Sequence, residues 1–97
     1  MAYEIFLAPE AADDLKHLTA RDRSMICDAI KTHLRHEPKK TSKSRIKRLR
    51  GISRPEYRLR VGEFRIFFDV KETEVEVLSF VPKHRVSEWL ERYGETK

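Results

Sequence analysis

Cysteine is almost missing from this chain of 97 residues: Cys27 stands alone, so no internal disulfide can staple the fold. It falls within a helical pattern and reads as a buried structural thiol in a reducing cytosol. No apolar run approaches the ~18 residues that would cross a membrane as a helix. Met1-Ala2-Tyr3-Glu4 leads straight into a strand-like segment, without the pattern of a secretory leader, so a cytoplasmic protein is expected. Phosphate-loop and dinucleotide fingerprints are absent, as is any Cys/His spacing suited to zinc. His33 and His36 form an H-x-x-H before Glu37. Two ligands one turn apart are weak evidence for a metal, so they read as surface or helix-end histidines and no metal site is assigned.

Acidic residues are scarce in the middle of the chain. Residues 31–65 hold Glu37, Glu56 and Glu63 against thirteen lysines and arginines, a balance of +10. The flanks, at −3 and −2, bring the whole to its net charge of +5. So polarised a field points to a polyanionic partner, most simply nucleic acid, although an acidic protein segment also fits. The length suits one domain, 1–97, with one core.

The most informative stretch runs from Tyr57 to Val70. It alternates apolar and polar residues, breaks at Gly62-Glu63 and resumes. That pattern predicts a β-hairpin, with Gly62 at positive φ in a type II′ turn. A two-residue loop sets Val61 opposite Phe64, Arg60 opposite Arg65, Leu59 opposite Ile66 and Arg58 opposite Phe67. Facing pairs share a side of the sheet, so Arg58, Arg60, Arg65 and Phe67 lie together, away from Leu59 and Ile66. Like charges set opposite each other cost stability. Either an anion compensates them or they form a solvated face.

Elsewhere, Tyr3 to Ala8 reads as a strand. Pro9 suits the first turn of a helix, and Thr19 with Asp22 suits the cap of a second. Pro38 ends that helix, and 39–44 is a polar, basic loop. Ile46, Leu49 and Ile52 suggest short extended pieces leading to the hairpin. Glu74 to Val81 alternates as another strand, and Arg85 to Tyr93 is helical, ending at Gly94. The expected fold is α+β: a mostly meandering antiparallel sheet of about four strands. An N-terminal helical hairpin packs on one face, a short C-terminal helix follows, and the other face stays open.

These pieces in this order resemble the RelE/ParE toxin superfamily of bacterial type II toxin–antitoxin systems, over nearly the whole chain. The resemblance rests on Leu49-Arg50-Gly51, on Tyr57 to Val70, and on Val77-Leu78-Ser79-Phe80-Val81-Pro82-Lys83-His84-Arg85. It implies a RelE-like mRNA endonuclease acting in the ribosomal A site, or, in the ParE branch, an inhibitor of DNA gyrase. A catalytically inactive binding module of the same fold is a third reading. RelE-like cleavage is independent of metal and cofactor and uses the 2′-hydroxyl of the RNA as nucleophile. The implied partners are a cognate antitoxin, the ribosome and mRNA. Arg58, Arg60 and Arg65 match catalytic basic positions, and His84, flanked by Lys83 and Arg85, matches a further one. The family's C-terminal tyrosine falls on Trp89 or Leu90, with Tyr93 one turn later.

The chemistry suits these residue types. Arginine stays protonated and grips phosphate oxygens in pairs, whereas histidine can exchange a proton. Arg58, Arg60 and Arg65 are therefore expected to clamp the scissile phosphate, with His84 as general base or acid. Arg65→Ala and His84→Ala should each abolish cleavage without disturbing the fold. Lys39, Lys40, Lys43, Arg45, Lys47 and Arg48 are expected to contact RNA phosphates irrespective of sequence. Phe67, Trp89 and Tyr93 are candidates for stacking on bases, although core packing of the terminal helix competes for the last two.

Overall fold

The computed structural model describes residues 2–96. In chain order it has β1 (Glu4–Leu7), α1 (Pro9–His17), α2 (Ala20–His33), β2 (Ile46–Arg48) and β3 (Ile52–Arg54). There follow β4 (Tyr57–Val61), β5 (Phe64–Lys71), β6 (Glu74–Pro82), a 3-10 turn (Lys83–Arg85), α3 (Val86–Tyr93) and β7 (Glu95–Thr96). The fold is α+β. Its main sheet has five strands in the order β1-β6-β5-β4-β2, and β3 pairs with β7 in a small second sheet.

The central hairpin has the predicted register, from Tyr57 opposite Phe68 to Val61 opposite Phe64. Gly62 sits at φ +54 and Glu63 does not share the positive region, as a type II′ turn requires. One further strand enlarges the expected sheet, and the N-terminal strand departs from the antiparallel pattern. Ile46–Arg48 adds to β4 as an edge, and β1 crosses to the far side of β6, where it pairs in parallel.

One face of this sheet meets the helices. Leu59, Ile66, Phe68, Val75, Val77 and Phe80 pack there against Ala11 of α1, Ile26 and Ile30 of α2, and Leu34 just after it, all of them buried. The Thr19 hydroxyl accepts the Asp22 N–H at 3.1 Å, starting α2 as its sequence predicts. Strand β6 keeps its apolar side on this core only because it bulges. Phe67 pairs with Ser79 but Phe68 pairs with Val77, leaving Leu78 as the extra residue. The bulge turns Phe80 inward and Ser79 outward.

The second face is not left open. Helix α3 folds back across it, and Trp89 stacks on Phe67 with ring centroids 4.7 Å apart and planes 2° from parallel. The backbone turns extended at Gly94 and ends that helix, where a Cβ would come within 2.5 Å of the Leu90 carbonyl oxygen. The chain then runs on to pair Glu95 with Arg54.

Candidate functional site: an arginine face with a folded-back helix

The register lays out the second face as rows. Nearest the hairpin tip, Arg60, Arg65 and Val81 lie side by side on β4, β5 and β6. The next row is Lys47, Arg58, Phe67 and Ser79, running from β2 to β6. A third row sets Asp69 beside Glu76. The face is thus cationic at the tip, aromatic in the middle and acidic at the far end.

The acidic end is neutralised internally. Arg54 Nε lies 3.4 Å from Asp69 Oδ2, and Arg54 Nη2 donates to Glu76 Oε1 at 3.1 Å. Asp69 also accepts the Glu56 N–H at 2.7 Å. Burial raises the Asp69 carboxyl above its ordinary value, against the opposing pull of that hydrogen bond and of Arg54. None of the ion pairs among the described residues involves Arg58, Arg60 or Arg65.

The three arginines occupy different environments. Arg60 is exposed. Arg65 is only 7% exposed, and its Nη1 donates to the carbonyls of Gly62 and Phe64, both at 3.0 Å. It therefore helps to hold the hairpin tip, and Arg65→Ala would leave two acceptors without that donor, contrary to the expectation that folding is indifferent to it. Arg58, in the next row, is half-buried, and its Nε is buried with no hydrogen-bond partner. Burial first, then Arg65 and Arg60, hold its guanidinium below the usual arginine range. A partly desolvated cation close to two others is a site whose energy falls when an anion arrives.

His84 lies exposed in the 3-10 turn that follows β6. The Lys83 N–H donates to the Glu63 carbonyl at 2.7 Å, tying this turn to the tip of the hairpin. Lys83 and Arg85 flank His84, and Arg85 lies 3.5 Å from Glu88. The geometry thus brings His84 to the cationic end of the face.

Other sequence-selected residues are distributed more widely. Lys47 joins the arginine face directly opposite Arg58. Arg48 is occupied within the protein: it lies 5.1 Å over the Tyr57 ring, donates to the Tyr57 hydroxyl at 3.3 Å and approaches Glu56 at 3.5 Å. Arg45 and Lys40 line a cavity beside α2, on the helix side of the sheet. Lys39 and Lys43 are exposed in the loop. Phe67 cannot stack on a base in this arrangement, because it is fully buried beneath Trp89. Trp89 instead tilts against Tyr93 at 5.5 Å, and Tyr93, half exposed, ends the aromatic series. Among the described residues no three His, Cys, Asp or Glu side chains gather as a metal site would need.

Two acids of α1, Glu10 and Asp14, also bear on this face. Glu10 accepts the Trp89 indole N–H at 2.9 Å and so anchors α3. Asp14 accepts both the Ser79 hydroxyl at 2.8 Å and the Phe80 N–H at 3.1 Å, capping β6 beyond the end of β1. Nothing local in the sequence signals either contact, since each spans more than 60 positions.

Residues 5–86 match the model of the ParE toxin of the type II toxin–antitoxin system parDE. The chain belongs to this toxin family, within the RelE/ParE superfamily. Solved structures of similar fold fit that assignment. One is the archaeal RelE–RelB complex from Pyrococcus horikoshii OT3, at 22% identity and TM-score 0.71, covering 88% of this chain and 99% of that one. Another is the RelB–RelE antitoxin–toxin complex from Methanococcus jannaschii, at 23% identity and TM-score 0.66, covering 87% and 96%. A third is the RelBE2 toxin–antitoxin complex from Mycobacterium tuberculosis, at 21% identity and TM-score 0.66, covering 84% and 99%. A search of curated protein sequences finds no match. Among the described residues of this ParE-family toxin, no helix is long and apolar enough to cross a membrane.

Proposed function

We propose that this toxin cleaves mRNA in the ribosomal A site, with the arginine face as its phosphate clamp. The observation that supports this most directly is Arg58, whose partnerless Nε lies in the row next to Arg60 and Arg65, and none of the three enters an ion pair among the described residues. Attack of a ribose 2′-oxygen on phosphorus places extra negative charge on the phosphoryl oxygens, which guanidiniums stabilise by charge-assisted hydrogen bonds. The P–O5′ bond breaks as the new P–O2′ bond forms, giving a 2′,3′-cyclic phosphate and a 5′-hydroxyl. His84 exchanges a proton with one of these oxygens. Arg60 and Lys47 lead the strand into the clamp, and Tyr93 offers an exposed ring at its border.

The same face suits an acidic or amphipathic antitoxin segment, which would silence the toxin by occupying the clamp. That all three solved relatives are complexes with antitoxins supports such a partner. Gyrase inhibition is the second reading, and the family model itself favours it because it is the ParE model that matches.

Primer extension on an mRNA in a purified translation system tests the proposal, with wild type, Arg58→Met and His84→Ala. The expected result is ribosome-dependent cuts within A-site codons, lost in both variants. Intact message together with blocked supercoiling in a parallel gyrase assay would overturn the nuclease reading in favour of the second one.

A further inference from the structure

A second group of cations lies on the opposite side of the sheet. Between the C-terminal end of α2 and the loop after it is a cavity of about 290 Å³, lined by Thr32, His33, Glu37, Lys40, Ser42 and Arg45. The loop is folded onto itself: Ser42 N–H donates to the Ile46 carbonyl at 2.9 Å, and Ser42 Oγ accepts the Arg45 N–H at 3.0 Å. The Ser42 hydroxyl hydrogen therefore remains free to donate into the cavity. Arg45 is fixed from the other side, because its carbonyl accepts the Arg60 N–H at 2.8 Å. Arg45 precedes β2 and lines the cavity together with His33.

The charges in this cavity do not balance. Glu37 lies 3.8 Å from Lys40, so those two largely answer each other. Arg45 enters none of the ion pairs among the described residues. His33 ends α2, where the helix dipole favours a cation, yet burial and then Arg45 lower its basicity. The cavity thus pairs an unanswered guanidinium with an imidazole of lowered basicity.

We propose that this cavity is a phosphate-binding subsite, in which Arg45, His33 and the Ser42 hydroxyl take the oxygens of one phosphoryl group. The group is either a free phosphate or a phosphodiester of a nucleic-acid backbone. Its dianion or monoanion pairs with Arg45 and lets His33 take up a proton, so binding and protonation support each other. Glu37, the one acid lining the cavity, lies 3.8 Å from Lys40, and both side chains are exposed. This subsite does not depend on mRNA cleavage, because it lies across the sheet from the arginine face.

The test is an NMR titration of the histidine ring protons of the full chain, at constant ionic strength, with inorganic phosphate and separately with a short single-stranded oligodeoxynucleotide. The expected result is a rise of about one unit in the His33 titration midpoint, a tenfold change in proton affinity. His17, on α1 and away from the cavity, should not move. A response to inorganic phosphate identifies the small anion, and a response to the oligonucleotide alone identifies the phosphodiester. If His33 merely follows His17 in both titrations, the proposal is overturned. Arg45→Gln should abolish the response, and a response that persists there would remove Arg45 from the site. Should that variant fail to fold, the wild-type titrations still decide.

Discussion

Replacing Arg58 by Met should make the toxin more stable and inactive at once. The partnerless Nε–H of Arg58 costs roughly 1–3 kcal/mol as a buried unsatisfied donor. Repulsion from Arg60 and Arg65 adds a few tenths of a kcal/mol where solvent still screens the group. Methionine keeps an unbranched stem of similar course along the sheet and loses both penalties. A net gain of about 1–2 kcal/mol follows, which for a domain of this size raises Tm by roughly 4–8 °C per kcal/mol. Urea unfolding followed by fluorescence reads it directly, since Trp89 is the only tryptophan and stacks on buried Phe67. Inorganic phosphate should narrow the gap by stabilising only the wild type. High salt should remove the repulsive part and leave the cost of the unpaired N–H. An Arg58→Met protein less stable than wild type by about 1 kcal/mol or more would refute the reasoning, because Arg58 would then hold structure together rather than await a ligand.

Phe67→Ala should cost about 3–5 kcal/mol and release α3, measured as loss of the unfolding midpoint together with a red shift of Trp89 emission. Gly62→Val should cost roughly 1–2 kcal/mol from backbone strain at φ +54, since its Cβ would meet only Met25 at ordinary contact distance; equal stability in urea would show that the turn has relaxed. Asp14→Ala should lose about 1–3 kcal/mol by stripping the Phe80 N–H of its acceptor, and hydrogen exchange at Phe80 reports it. Asp69 gives a pH dependence of defined sign. Its folded-state pKa is raised above 3.8, so the folded protein holds this proton more tightly than the unfolded chain. Its contribution is therefore most favourable below 3.8 and is lost as pH rises through the folded value. The stability difference between wild type and Asp69→Asn should fall over that window in urea titrations, and a difference that rises would reverse the assignment.

The arginine face is partly legible in the sequence. Alternation and Gly62 specify the hairpin, and its register alone gathers Arg58, Arg60, Arg65 and Phe67 on one side. The different states of the three arginines were not visible, because they depend on how far each guanidinium is covered and on which carbonyls it reaches. Arg65 looked like a free catalytic cation, yet the turn it follows supplies two acceptors for it. Phe67 looked like a ring offered to a base, but the offer is taken by Trp89, 22 positions away. Arg45 and Lys47 sit two apart in one basic run, but the chain enters the edge strand between them, and they end on opposite sides of the sheet.

Although α2 ends at His33, short of the expected Pro38, near neighbours in the chain fix the starts of α1 and α2, the hairpin and its turn, the separation of apolar from cationic side chains, and the family. These follow from periodicities of two and 3.6 residues and from backbone preferences that act over a few positions. Tertiary structure alone decided that β1 pairs in parallel with β6, that Leu78 bulges, and that α3 returns over the arginine face under the hold of Glu10. Each of these is a contact between segments far apart in the chain. Such contacts are selected by the sum of buried area and satisfied hydrogen bonds over the whole fold, which no short window of residues encodes.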